Sequence, residues 1–347
     1  MTTVTIGMDL GDRKHQICVL DEAAGKVAEV TLDNTAPALR KHFRPYAGAV
    51  VAMETGTHSP WISRLLVSLG CRVLVGNARK LRAIWNSSNK SDLRDAEMLA
   101  RIARFDPHLL YPVHHRSEQA HADLERIKAR DALVRSRRSL INHVRGAAKA
   151  FGVRLPACSA ESFATRVTPH LPAVIQEALT PLLETIKRLT EQIRDYDRQV
   201  VAISRQRYAA SERLQQVGGV GPLTALAFVL TLEEPGRFDQ SRAVGAYVGL
   251  TPKRDQSGQS DKQLRITKTG DRYLRQLLVT SSHYILGPFG PDSDLRRYGL
   301  RIAERGGKNA KKRAVVAVAR KLSVLLHHLW KTGVDYEPLH TAGSQGA

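Results

Sequence analysis

Between Leu179 and Ile203 the apolar residues fall at 179, 182, 186, 189, 193, 196, 200 and 203, in alternating steps of three and four. A chain with this spacing forms a helix carrying one continuous apolar stripe. Sustained over several heptads, the stripe has to be covered by another helix. A weaker version runs from Leu124 through Ile127, Val134, Ile141, Val144 and Ala148 to Phe151. Pro156, Pro169 and Pro172 lie between the two stretches, which marks that segment as a connection. The two helices pair either with each other, as a hairpin, or with those of a second subunit as a coiled coil, and the spacing leaves both open.

The first 110 residues follow a different rhythm. Val4–Leu10, His15–Leu20 and Lys26–Leu32 read as short strands, the first two separated by the turn signal Gly11-Asp12. Asn34 can cap a helix reaching about Arg44. Ala49–Glu54 is an apolar run suited to a buried strand, and Arg72–Val75 is a further strand. Ser59–Leu69, Arg79–Trp85 and Asp92–Phe105 are helical in period. The order β-β-β-α-β-α-β-α predicts a sheet with an antiparallel start and parallel additions, as in the ribonuclease H-like fold. A third region opens with Gly218-Gly219-Val220-Gly221-Pro222, a turn whose backbone N–H groups suit a phosphate, followed by an apolar helix over Leu223–Leu232. Thr251–Gln263 reads as a polar loop, and Asp271–Leu286 and Ala310–Trp330 as helices. The expected organisation is an α/β domain over 1–110, a helical region with a Pro-rich connection over 111–210, a mainly helical domain over 211–335, and a loose tail over 336–347.

Charge separates these regions. The 347 residues carry a formal net charge of +20, yet the first hundred hold 13 basic and 10 acidic side chains. The excess beyond them calls for a polyanionic partner, of which nucleic acid is the commonest. At 42% apolar residues the chain can build real cores, so disorder is excluded as its main theme. Three scattered cysteines, Cys18, Cys71 and Cys158, make neither a disulfide framework nor a zinc site. No apolar run is long enough to span a membrane, and the N-terminus has no signal-peptide pattern, so a cytoplasmic location is expected.

Four carboxylates stand out in the balanced first region. Asp9 ends the first strand and Glu54 the later parallel strand, while Asp92 and Asp95 share a face of a helix's first turn. The first and fourth strands of a ribonuclease H-like sheet are neighbours, so their ends bring Asp9 and Glu54 together, and the last helix can lay the other two across them. Such a group needs cations to neutralise it. Two Mg²⁺ ions suit carboxylate oxygens and can assist phosphodiester cleavage.

With these residues the chain resembles the DEDD transposases of insertion sequences that encode a guide (bridge) RNA. Gly7-Met8-Asp9-Leu10-Gly11-Asp12-Arg13-Lys14-His15 is similar to the family's first acidic motif, Met53-Glu54-Thr55-Gly56 to its second, and Lys90-Ser91-Asp92-Leu93-Arg94-Asp95-Ala96 to its third. Gly218-Gly219-Val220-Gly221-Pro222, Tyr247-Val248-Gly249-Leu250-Thr251-Pro252, Gln256-Ser257-Gly258 and Ile266-Thr267-Lys268-Thr269-Gly270-Asp271 follow its C-terminal domain in order. The resemblance implies a RuvC-like domain whose Asp9, Glu54, Asp92 and Asp95 bind Mg²⁺, and a nucleophilic Ser257 that forms a covalent link to DNA. It also implies a guide RNA, DNA ends and target as partners, and a homo-oligomer, at least a dimer.

Three basic clusters bear on those partners: Arg126–Arg154, Lys253–Arg275 around Ser257, and Arg296–Lys321. Arg137 and Arg138 in the first, Arg254, Lys262, Arg265, Lys268 and Arg272 in the second, and Lys311 and Lys312 in the third are the expected phosphate contacts. Aromatics make up only 5% of the chain, so base stacking is not the expected mode. Two other readings compete: a RuvC-type endonuclease using water in place of Ser257, and a nucleic-acid binder with a decayed site. An actin-like ATPase lacks its second phosphate loop, Gly306-Gly307-Lys308 being the nearest approach to its motifs.

Overall fold

The computed structural model describes residues 4–21, 23, 25–81, 91–258 and 260–340, with the side chains of 260–263 outside that description. The chain divides into two compact units, Met1–Ser117 and Glu118–Ala347, each built around its own core.

The first unit is a mixed sheet. Strands β1 (Thr5–Asp9), β2 (Lys14–Leu20), β3 (Lys26–Asp33), β4 (Val50–Glu54) and β5 (Arg72–Gly76) lie in the order β3-β2-β1-β4-β5. β1–β2 and β2–β3 are antiparallel, whereas β1–β4 and β4–β5 are parallel. This is the antiparallel start with parallel additions that the sequence predicts, and it is consistent with a ribonuclease H-like sheet. Alternation along the strands decides which layer covers which face. Ile6, Met8, Ile17, Val19, Val51 and Met53 pack with Leu39 and Phe43 of α1 (Ala36–Phe43) and Ile62 and Leu66 of α2 (Ser59–Ser68). On the opposite face, Cys18 and Leu20 meet Ala96 and Ala100 of α4 (Asp92–Phe105), and Ala52 packs with its Leu99 and Ala103. Helix α3 covers Ala78–Leu81; the remainder of the helix expected over Arg79–Trp85 lies outside the described residues. The cap of α1 is Thr35, whose hydroxyl accepts from the Ala38 amide, rather than Asn34. Asn34 instead donates to the Asp12 carbonyl at 2.9 Å, which ties the β1–β2 turn.

The second unit is helical apart from one hairpin. Its elements are α5 (Glu118–Ala150), α6 (Phe163–Val167), α7 (Ala173–Arg207), α8 (Ala210–Leu214), α9 (Pro222–Leu232), α10 (Arg242–Tyr247), β6 (Pro252–Ser257), β7 (Ser260–Ile266), α11 (Arg272–Leu286), α12 (Asp294–Glu304) and α13 (Ala310–Thr332). Helix α9 is apolar all round and buried along nearly its whole length, the centre about which α5, α7, α11 and α13 pack. The two long helices run antiparallel. Leu124 and Ile127 of α5 share a core with Val200 and Ile203 of α7, while Val144 and Ala148 share a separate one with Leu179 and Leu183. Polar rungs fix their register: Arg126 donates to Gln199 at 2.9 Å, Arg130 pairs with Asp197 at 2.5 Å, and Arg137 donates to Thr190 at 3.1 Å. The stripe of α7 is thus covered within the chain at Leu179, Ile186, Ile193, Val200 and Ile203, with Leu182, Leu189 and Tyr196 only half-buried.

Two expectations are corrected here, and one helix is added. The polar loop over Thr251–Gln263 is the antiparallel hairpin β6–β7, invisible to periodicity because its first strand is exposed along nearly its whole length and has no apolar face to alternate. Helix α12 lies within the third basic cluster, where arginines dilute its apolar positions. Residues 336–340 are anchored rather than loose: the Tyr336 amide donates to Gln216 and the Pro338 carbonyl accepts from the Asp294 amide, both at 2.8 Å.

One buried charge ties α5 to the end of α7. The Asp123 carboxylate, with no exposed side-chain surface, accepts from Arg207 at 3.1 Å, Tyr208 at 3.0 Å and Gln119 at 3.0 Å. Burial, and then this carboxylate, push the Tyr208 phenol up to about 12. Removing one partner of a buried charged group leaves the others uncompensated. Asp123→Ala is therefore expected to destabilise the second unit by about 3 kcal/mol, read as a fall in the midpoint of chemical denaturation.

Candidate active site

The site in the first unit is set by a close approach. A Cβ built on Gly7 would lie 1.8 Å from the backbone oxygen of Ala96 and 2.7 Å from the amide nitrogen of Ala100. Only glycine lets α4 rest directly on the middle of β1. Arg104 near the far end of α4 donates to the Thr5 hydroxyl at 3.3 Å, so α4 runs antiparallel to β1. Its N-terminus consequently lies at the end of the sheet where β1 finishes in Asp9. The parallel register pairs Gly7 with Ala52 and Met8 with Met53, which sets Asp9 and Glu54 at corresponding ends of adjacent strands. By the period of two, both belong to the face that α4 covers.

Local chemistry holds the acids in place. Ser91 caps α4, its hydroxyl accepting from the Arg94 amide at 3.3 Å, and Asp92 and Asp95 occupy the first turn. Negative charge there is favoured by the helix dipole. Beyond Glu54, the Thr55 amide donates to Gly76 at 2.9 Å, Thr55 Oγ1 accepts from Ala78 at 3.2 Å, and the Gly56 amide donates to Ser59 Oγ at 3.0 Å. Asp9, Glu54 and Asp95 are half-buried, and Asp92 is exposed. All four thus lie toward one end of one face. Their hard oxygen donors suit a divalent cation in kind. Among the described residues, however, no three His, Cys, Asp or Glu side chains come together as a metal-holding group.

Next to this end stand residues to which the sequence reading gave no role. His15 is wholly buried, and its pKa is lowered mainly by that burial, with Asn34 acting in the opposite sense. Trp61 donates to His58 Nδ1 at 3.3 Å, so the ring presents Nε2–H to Asp12 at 3.2 Å. The alternation of β2 was the available signal for His15, since it places the imidazole on the side of Ile17 and Val19.

In the second unit Ser257 ends β6, opposite Ser260, and is exposed. The hairpin's base is clamped by two glycines with positive φ, Gly249 (φ 71°) and Gly270 (φ 72°). Cβ atoms there would lie 2.2 Å from the Thr269 oxygen and 2.0 Å from the Tyr247 oxygen. Arg275 donates to the carbonyls of Val248 at 3.0 Å and Thr269 at 2.8 Å, and Asp271 caps α11 by accepting from Leu274 at 2.8 Å. The Tyr247–Pro252 and Ile266–Asp271 motifs are thereby a mounting for the serine-bearing hairpin. The Gly218–Gly221 turn leads into α9, with Gly219 at φ 88°.

The expected basic contacts divide. Arg138, Arg254, Arg265, Lys268, Arg272, Lys311 and Lys312 are exposed. Lys262 pairs with Asp255 across the hairpin, its side chain lying outside the described residues. Arg137, expected as a phosphate contact, is only 8% exposed because it turns toward α7 to reach Thr190. His327 is a buried structural residue, bonded to Ser241 Oγ and the Pro235 carbonyl, each at 2.9 Å. Among the described residues no helix is long and apolar enough to cross a membrane.

Comparison with known proteins agrees with this layout. A DEDD transposase model of the IS110 type, described as "Transposase", matches residues 6–151, and a second, described as "Transposase IS116/IS110/IS902 family", matches residues 211–291. Together they cover more than half of the chain, which belongs to the IS110-type family of insertion-sequence transposases. It is 29% identical over 333 residues to the transposase for insertion sequence element IS1111A of Coxiella burnetii, covering 91% of this chain and 86% of that one. It is 28% identical over 347 residues to a probable family 20 transposase of Pseudomonas aeruginosa, covering 97% of this chain and 100% of the relative.

The contact at Gly7 gives a direct test. Gly7→Ala forces backbone against backbone and is expected to cost about 1–3 kcal/mol, as overpacking does. Gly56→Ala, where a Cβ meets nothing within 4 Å, is expected to stay within about 0.5 kcal/mol of the parent. Thermal melts of the two variants check the contrast.

Proposed function

We propose that this transposase cleaves and rejoins DNA through a metal-assisted serine–DNA intermediate, directed by a guide RNA. The observation that carries the reading is the antiparallel docking of α4 on Gly7, which sets Asp92 and Asp95 at the strand ends bearing Asp9 and Glu54. In this reading the first unit is a RuvC-like domain, and the four carboxylates hold Mg²⁺, two ions per site. When bound, such ions offset the charge of the carboxylates and of the phosphate under attack.

The chain's own residues supply the rest. Asp9 and Glu54 are fixed by strand register, and Asp92 and Asp95 by the Ser91 cap, so the donor set is preorganised by backbone rather than by flexible loops. Ser257 carries the nucleophilic hydroxyl on a hairpin whose base is rigid. Its Oγ loses a proton and bonds to phosphorus as a bridging DNA oxygen leaves as a hydroxyl. Attack by a DNA hydroxyl in the reverse sense frees Ser257 and restores a phosphodiester, so no bond energy is lost to water. Arg254, Lys262, Arg265, Lys268 and Arg272 lie on or near the hairpin and would hold the DNA backbone, while Lys311, Lys312 and Arg138 offer further contacts to DNA or RNA. A guide RNA accounts for target choice by base pairing in a chain with few aromatics to read bases. At least a dimer, acting in the cytoplasm, completes the proposal.

Recombination with purified protein, Mg²⁺, the element's guide RNA and donor and target DNA tests it. Asp9→Ala and Ser257→Ala should each abolish products, and a covalent protein–DNA adduct should form with the parent and be absent in Ser257→Ala. Activity unchanged in both variants refutes the reading. Cleavage that persists in Ser257→Ala while failing in Asp9→Ala identifies a water-using nuclease instead.

A further inference from the structure

A cavity of about 280 Å³ lies on the long-helix pair of the second unit, between α5 and the segment that crosses back over it. Arg137, Arg138, Ile141 and Arg145 line it from one face of α5, and Cys158 and Phe163 line it from the crossing segment. Three guanidinium groups in one small cavity are unusual unless something negative joins them. None of the three forms an ion pair with a carboxylate among the described residues. Arg137 is 8% exposed and spends one N–H on Thr190. Arg145 donates to the carbonyls of Leu155 and Pro156, at 3.5 and 3.2 Å, and to Cys158 Sγ at 3.7 Å, with its guanidinium 5.0 Å from the centre of the Phe163 ring. Each guanidinium has five N–H donors, so most of this donor capacity is unspent. Glu161 and Asp197 favour the charge on Arg137 from a distance, while Arg130 and Arg194 oppose it.

We infer that this cavity takes a backbone phosphodiester of nucleic acid, with Arg137, Arg138 and Arg145 as its ligands. Three positive charges lining one cavity repel one another, and a phosphate entering between them offsets that repulsion. Guanidinium groups also match phosphate oxygens in fork geometry. At about 280 Å³ the cavity falls below the range of about 300–1,000 Å³ typical of small-molecule pockets. Ile141, which is half-buried, gives the cavity an apolar edge. Arg137 therefore binds nucleic acid from inside a cavity rather than from a solvated helix face. The inference rests on the proposed function's premise that the chain binds nucleic acid, with Arg138 as a contact, and its readout does not depend on recombination.

Cys158 provides that readout. It is half-buried at the cavity, whereas Cys18 and Cys71 are buried in the other unit, so rapid alkylation of the folded full-length chain by iodoacetamide reports Cys158. Alkylation is followed with a mixed-sequence RNA oligonucleotide, a DNA duplex, or inorganic pyrophosphate present. Either polymer, at a concentration that fills nine sites in ten, should slow the reaction about tenfold by mass action, with the protection weakening as salt rises. Arg137→Met, an apolar chain of similar length, should still melt cooperatively and should lose the protection. An unchanged rate with both polymers overturns the inference, as does protection by pyrophosphate alone. Protection in Arg137→Met equal to that of the parent also overturns it, since the polymer would then be shielding Cys158 from elsewhere.

Discussion

The contact of α4 with the backbone of Gly7 is the constraint on which the first unit depends. A helix ordinarily stands off a sheet by the length of two side chains. Here one side of that spacing is removed, and the Ala96 carbonyl occupies the volume a Cβ would need. The helix is thereby held at a fixed height and direction, with Ala100 and Arg104 completing the line toward Thr5. Because α4 is capped by Ser91 and begins at Asp92, fixing its path also fixes two carboxylates. The parallel pairing of β1 and β4 fixes the other two. Four like charges are therefore brought toward one end by packing forces that act well away from them.

The second unit answers a different demand. Long basic helices do not associate through charge, and α5 and α7 are held instead by two apolar clusters with polar rungs between them. The rungs use arginines, which can bury their stems while their heads bond across to Gln199, Asp197 and Thr190. Apolar cores alone tolerate sliding between such helices, but a rung has one register. The same logic mounts the β6–β7 hairpin. Gly249 and Gly270 let backbone meet backbone at its base, so the hairpin projects from a fixed point although its own surface is polar.

Much of this was legible in the sequence, and the reasons differ by element. Strands β1 to β5 were visible because apolar runs end in turn residues, and helix α4 because its apolar residues keep a helical period. The neighbouring positions of Asp9 and Glu54 follow from strand order, whereas those of Asp92 and Asp95 depend on the path of α4. The hairpin was not visible, since a strand exposed on both faces has no alternation to read. Gly7 could be quoted as part of a motif, but its meaning depends on a helix almost ninety residues away. Arg137 was misplaced for a related reason. Composition assigns arginine to the surface, and only the packing of α5 against α7 and the crossing segment makes its position interior.

In the proposed site, strand carboxylates and helix carboxylates hold one cation together. Calorimetric titration of Mn²⁺ into the full-length chain tests this, with Asp9→Asn removing a strand ligand and Asp95→Asn a helix ligand. Each substitution alone should weaken the same binding event by about tenfold or more, about 1.4 kcal/mol, without a change in melting temperature of the apo protein large enough to explain it. Binding in Asp95→Asn indistinguishable from that of the parent would contradict the claim, because the helix would then contribute no ligand to the site that Gly7 allows it to reach.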